Sequence, residues 1–176
     1  MLQDKIALVT GASKGIGRAI AVALAKEGAY VIVNYNGSKE QADVTCKLIE
    51  EAGGACESMS FNVAEEEVTM EAMKTIMEKH GRLDILVNNA GITRDGLLMR
   101  MSDDDFEAVL DVNLKGAFHT IRFASKQMLK QRSGRIINIS SVSINPGATA
   151  FTVIPLLASS LAVALVKPIS PALEAE

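Results

Sequence analysis

Apolar runs rich in branched residues recur along the chain at Ile6 to Thr10, Tyr30 to Asn34, Ala55 to Val63, Leu83 to Val87 and Arg135 to Ser140, each separated from the next by a stretch of helix length. Runs of this kind alternating with helices predict a parallel sheet covered on both faces. The intervening stretches carry the helical period. Ile16, Ala19, Ile20, Ala23 and Leu24 predict one buried stripe, and Val68, Ala72 and Ile76, or Met73 and Met77, predict another. The methionines in these stripes read as core filler. A longer helix is predicted from Ser102, whose hydroxyl can cap the first turn while Asp103, Asp104 and Asp105 favour the positive end of the helix. Capping accounts for that acidic triplet without a metal.

The pattern changes towards the C-terminal end. No charged residue occurs between Arg135 and Lys167, and residues 148–166 approach the length of a membrane span. Pro155 interrupts this stretch and Thr149, Thr152, Ser159 and Ser160 dilute it, which favours a buried or misplaced core segment over an anchor. The expected organisation is therefore one α/β domain over residues 1–143 and a divergent apolar tail, helical in part, over 144–176.

Composition narrows the function classes. At 176 residues the chain has the length of one domain with a sizeable core. A net charge of -3 with scattered Lys and Arg leaves no basic stripe for a phosphate backbone, so nucleic acid is not an expected partner. Cys46 and Cys56 have no second pair, and the spacing fits neither a zinc site nor a disulfide framework. A reduced cytoplasmic setting is expected, and the first residues lack the basic segment and apolar run of a signal peptide.

The first apolar run leads directly into Thr10-Gly11-Ala12-Ser13-Lys14-Gly15-Ile16-Gly17 and then into a helical pattern. In Gly11-x-x-x-Gly15-x-Gly17 the first glycine permits a sharp turn off the strand, and the later ones let the backbone approach a pyrophosphate at a helix N-terminus. A glycine triplet alone also fits an ordinary strand-to-helix turn. Here the strand before it, the helix after it and the later alternation agree on a doubly wound, Rossmann-like sheet. Gly11, Ser13, Lys14, Gly15, Ile16 and Gly17 are the predicted cofactor-binding loop.

The second run ends at Val33-Asn34-Tyr35-Asn36, with no carboxylate to grip the ribose hydroxyls of an adenosine. Lys14, and Ser38 or Lys39, could pair with a 2′-phosphate, which favours NADP(H) over NAD(H). Solvated lysines remain the alternative, above all for Lys39. The fourth run ends at Asn88-Asn89-Ala90-Gly91, placing Asn89, Ala90 and Gly91 at the sheet edge where ligands sit in open α/β folds.

With these motifs, Asn113 in Asp-Val-Asn-Leu-Lys-Gly, and Gly-Arg-Ile-Ile-Asn-Ile-Ser-Ser-Val at 134–142, the chain resembles the short-chain dehydrogenase/reductase family over roughly residues 3–143. Around Gly-Ile-Thr-Arg-Asp-Gly-Leu-Leu-Met-Arg-Met at 91–101 it is most similar to the branch that reduces 3-oxoacyl thioesters on acyl carrier protein with NADPH, in fatty-acid synthesis. The resemblance implies that Asn62 and Val63 contact adenine. It also implies that Asn113 and Ser141 match two of four catalytic residues, an Asn holding a water and a lysine and a Ser polarising the substrate carbonyl. Asn113 could instead be a satisfied core amide on the stripe Phe106, Val109, Leu110, Leu114, Ala117, and Ser140 is a neighbouring alternative to Ser141.

The family's Tyr-x-x-x-Lys should follow about a dozen residues after Ser141, yet position 154 is Ile, position 158 is Ala, and the only tyrosines are Tyr30 and Tyr35. A looser alignment puts Leu156 and Ser160 in those places. Both the proton donor and the cation that tunes it are missing, so impaired activity is expected. Against family members of about 250 residues, the chain reads as truncated after about five strands, with the sixth and seventh missing. The altered tail also removes part of the basis for the homo-oligomer the resemblance implies. A noncatalytic NADP(H)-binding or interaction protein is the competing reading, and a membrane tether through 148–166 a third.

Overall fold

A computed structural model describes residues 1–140. Five parallel strands, β1 (Ile6–Val9), β2 (Tyr30–Tyr35), β3 (Ala55–Ser60), β4 (Ile85–Asn88) and β5 (Arg135–Asn138), form one sheet in the order β3-β2-β1-β4-β5. The chain works outward from β1 to β3, then crosses back to place β4 on the other side of β1. That reversal is the switch point of a doubly wound sheet, where the loops after the two central strands part and leave a crevice. Val9 stands beside Val33 on one side and Val87 on the other, so the strands end level at this crevice.

The alternating side chains of β1 explain why its run is apolar throughout. Ala7 and Val9 join a core with Ala21, Ala25, Ala42 and Ile49 from α1 (Gly15–Lys26) and α2 (Lys39–Glu51). Leu8 joins Met73, Ile76, Ala124 and Met128 from α3 (Glu66–His80) and α5 (Gly116–Gln131) on the opposite face. A strand covered on both faces has no position left for a polar side chain.

Several predicted details are corrected. In α1 the buried positions are Gly17, Ala21 and Ala25, whereas Ile16 is 64% exposed and Ala19 and Ala23 face solvent. Hydrophobicity selected the bulky residues, but this helix begins so close to the sheet that only glycine and alanine fit beneath it. In α3, Met73 and Ile76 are buried as expected while Val68 is exposed, and the polar Thr69 takes the inward place. Strand β3 ends at Ser60 rather than Val63, because the Asn62 side chain accepts the Ala64 N–H at 3.1 Å and turns the chain away. Strand β4 begins at Ile85, after Leu83 and Asp84, and β5 ends at Asn138.

Ser102 caps the next helix as predicted, its hydroxyl accepting the Asp105 N–H at 3.1 Å. The helix is not uniform. After α4 (Asp103–Leu110) the backbone widens into a π-helical turn, Asp111–Lys115, before α5. The expected apolar stripe is corrected within α4, where Val109 is buried but Phe106 is 40% exposed, and the π turn that follows changes the helical period before Leu114 and Ala117. Ser141 and the segment 144–176, with the expectations for the altered catalytic motif, membrane tether and helical tail, lie outside the described residues.

Candidate functional site

The loop from Thr10 to Gly17 is fixed from behind by hydrogen bonds that use its carbonyls. Asn89 Nδ2 donates to Thr10 O at 2.9 Å and to Gly11 O at 3.1 Å. The buried Thr45 hydroxyl of α2 lies 3.1 Å from both Ala12 O and Ser13 O. The amides of the turn are also taken: Gly11 N donates to Asn34 Oδ1 at 3.1 Å, and Ala12 N to Asn34 O at 2.8 Å. From Lys14 onward the arrangement changes. Lys14 is the extended N-cap of α1 and its side chain makes no capping bond, so among the described residues no side chain closes off the first-turn N–H groups of that helix. A helix start with open amides and the positive end of its dipole receives anions.

The glycines match that use. Gly11 and Gly15 have φ of +62° and +57°, and a Cβ at Gly15 would meet nothing within 4 Å, so a side chain there would fill the space in front of the loop. A Cβ at Gly17 would lie 2.4 Å from both Asn89 Nδ2 and Gly11 O, which are the atoms that tie the two loops together. A Cβ at Gly11 would lie 2.9 Å from the Ala90 Cα.

Thr10 links the loops. It is 1% exposed, and its hydroxyl accepts the N–H groups of Asn89 and Ala90 at 2.9 and 3.0 Å while lying 3.3 Å from Val87 O. Gly91 continues to Asn113, whose Oδ1 a Cβ on this glycine would approach at 3.3 Å. Asn113 lies in the π turn and bonds both ways to one residue: its Oδ1 accepts Ile92 N at 2.8 Å and its Nδ2 donates to Ile92 O at 3.0 Å. The predicted residues of the glycine loop, Asn89 to Gly91 and Asn113 therefore form one continuous edge.

Val63 is 5% exposed, and its carbonyl accepts from Thr69 and lies 3.1 Å from His119 Nδ1 of α5. Asn62 is committed locally, with Nδ2 donating to Glu65 Oε1 at 2.9 Å. Ser38 caps α2, accepting Gln41 N at 3.2 Å and donating to Glu40, and Lys39 pairs with Asp43 at 2.8 Å on the surface. Lys14 makes no ion pair with a described residue, so among the cations considered for a phosphate it is the one whose charge is uncommitted.

Asn34 was not among the predicted site residues. It is 2% exposed, its Oδ1 faces the Gly11 amide, and its Nδ2 donates to Phe61 O at 3.0 Å with Met59 O and Tyr35 O at 3.4 Å. The signal was present in the sequence as one amide closing an otherwise apolar run. Thr120 is comparable: fully buried in α5, it donates to Asn88 Oδ1 at 2.7 Å, and Asn88 Nδ2 donates to Asn138 Oδ1 at 2.9 Å across the paired strands. No sequence motif marks Thr120.

A model of the family described as short chain dehydrogenase matches residues 5–153. The 3-oxoacyl-[acyl-carrier-protein] reductase FabG of Staphylococcus aureus is 52% identical over 142 residues, covering 81% of this chain and 58% of the relative. The 3-oxoacyl-[acyl-carrier-protein] reductase of Synechocystis is 49% identical over 154 residues, 86% of this chain and 62% of its own length. The chain thus spans about three fifths of the length of these curated relatives. A crystal structure of a metagenomic short-chain oxidoreductase in complex with NADP superposes with a TM-score of 0.79 at 36% identity, covering 84% of this chain and 67% of that one.

Proposed function

Because this chain belongs to the short-chain dehydrogenase family, we propose that it binds NADP(H) along the edge from Gly11 to Gly91 and descends from a reductase of 3-oxoacyl thioesters on acyl carrier protein. The observation that carries the reading is the glycine loop. Its carbonyls at Thr10 to Ser13 are tied back by Asn89, Thr45 and Arg18, while no described side chain caps the start of α1. Such a loop presents donors to a pyrophosphate without reorganising. Lys14 supplies the cation for a ribose phosphate, and the last residues of β2, the buried Asn34 and Tyr35, include no carboxylate to repel one.

When bound, the reduced nicotinamide supplies a hydride for a carbonyl. The chain's part is to position the segment after Gly91 that would face the ring, which Asn113 fixes through its strap to Ile92. The proton is a separate matter. Tyr30 lies at the opposite end of β2, tilted against His80 with ring centroids 4.9 Å apart, and Tyr35 is buried in the core with α1 and α2. Neither tyrosine stands beside Asn113. With no later tyrosine in the sequence, the reading is a competent cofactor site with poor turnover. Loss of a positioned general acid costs on the order of 10² to 10⁴ in rate.

The test is a fluorescence titration of the 176-residue chain with NADPH and NADH, followed by an assay on an acetoacetyl thioester. Saturable binding that prefers NADPH, with turnover at least about 100-fold below an intact relative, is expected. Absence of binding to both cofactors would overturn the reading. Binding with no turnover at all would favour the noncatalytic alternative, which the missing tyrosine already supports.

A further inference from the structure

The glycine loop is also held from α2, through a cation that the glycine motif does not include. Arg18 lies in the first turn of α1. Its Nε donates to Thr45 Oγ1 at 3.0 Å, and its Nη2 donates to Ser13 O and, at 3.3 Å, to Gln41 O. Thr45 is fully buried, and its hydroxyl is surrounded by the carbonyls of Ala12, Ser13 and Gln41 at 3.1, 3.1 and 3.2 Å. One hydroxyl proton cannot serve three acceptors, so the guanidinium provides the donors that threonine lacks. The glycine loop, the start of α1 and the first turn of α2 therefore meet on one planar group.

We propose that Arg18 is a positioning residue that sets the separation between Lys14 and the N-terminal turn of α2, and through it the preference for a dinucleotide carrying a phosphate on its adenosine ribose. The inference rests on the cofactor reading above. Lys14 follows Ser13 on one wall, and Ser38 and Lys39 open α2 on the other, with Gln41 in its first turn. Charge-assisted bonds to a phosphate need heavy-atom distances of about 2.7–2.9 Å, so a small change in the gap removes them while a free ribose hydroxyl is little affected. The planar fork is what spans the two carbonyls and the hydroxyl. A lysine ammonium keeps the charge but is a point donor on a flexible stem.

The experiment compares wild type with R18K and R18Q by fluorescence titration against NADPH and NADH, together with amide exchange over residues 11–17 and 38–45 without cofactor. R18K is expected to raise the Kd for NADPH by about tenfold, to leave that for NADH within about twofold, and to speed exchange at the start of α2. NADPH binding that survives R18K and fails only in R18Q would show that charge alone matters and overturn the proposal. Equal losses for both cofactors would make Arg18 a general support and also overturn it. Should the Arg18 variants not fold, T45V, which removes the Nε acceptor at constant shape, must weaken NADPH selectively while T45S does not. Unchanged selectivity in T45V overturns the proposal. A wild-type chain that binds neither cofactor refutes the functional reading, and the specificity role with it; faster exchange in R18K would then attest only a structural strut.

Discussion

Thr10 shows how much a single hydroxyl can hold at this site. With two backbone N–H groups donating to it and almost no exposure, Thr10→Val would leave buried donors without an acceptor. A loss of about 2–3 kcal/mol is expected, seen as a lower urea midpoint at unchanged slope. Gly17→Ala acts by volume. Its Cβ would stand 2.4 Å from Gly11 O, a backbone atom that cannot swing aside, and from the Asn89 amide that joins the loops. Stability should fall by about 1–3 kcal/mol, and NADPH titration should show the affinity largely lost. These residues differ in legibility. Gly17 lies in a recognisable spacing, whereas the importance of Thr10 comes from Asn89 and Ala90, far along the chain.

At the scale of elements, two helix starts are built differently and so answer differently to substitution. α2 has its own cap, and Ser38→Ala is expected to cost about 1 kcal/mol, measured by thermal unfolding. α1 has no such cap, which is the property that suits it to an anion. The π turn between α4 and α5 is the other element with a stated task, since it carries Asn113 to the Ile92 backbone. Asn113→Ala removes both bonds. It should cost about 1–2 kcal/mol and speed amide exchange after Gly91, whatever its effect on turnover. Neither the π turn nor the rotated face of α1 could be taken from hydrophobic periodicity, because the first changes the period and the second buries glycine and alanine.

For the whole molecule, Asp84, just before β4, and Glu57, in β3, are largely shielded carboxylates paired with cations. Burial by itself would raise the Asp84 carboxyl, but the Arg82 hydrogen bond, the Ile6 N–H and the nearby Lys5 hold it below the ordinary carboxylate range. Burial would likewise raise Glu57, and Lys79 and His80 outweigh it. A carboxylate held low in the folded state stabilises above its unfolded value and ceases to do so as pH falls through the folded one. The urea midpoint should therefore drop on acidification below about pH 4, and less steeply in Asp84→Asn. The thiols give an independent measure of folding. Burial, with Cys46 beside it, pushes the Cys56 thiol up to about 12, and burial raises Cys46 as well, so alkylation at pH 8 should be slow in the native chain and fast in urea. Among the described residues no helix is long and apolar enough to cross a membrane.

The sequence by itself determined the order and type of the elements, the parallel sheet and the glycine loop. Each of these depends on neighbours in the chain: an apolar run, a helical period, a glycine where φ must be positive. It also marked Asn89 and Asn113 as polar groups at the end or face of apolar elements, with Ala90 and Gly91 beside the first. Only the tertiary structure decided what holds the loop. Arg18, Asn34 and Thr45 act on Gly11, Ala12 and Ser13 across the strand and helix boundaries, and Thr10 meets Asn89 across the β1–β4 pairing. Such contacts have no spacing along the chain to betray them, because the parallel crossover brings together residues whose separation in sequence is set by the helices between them.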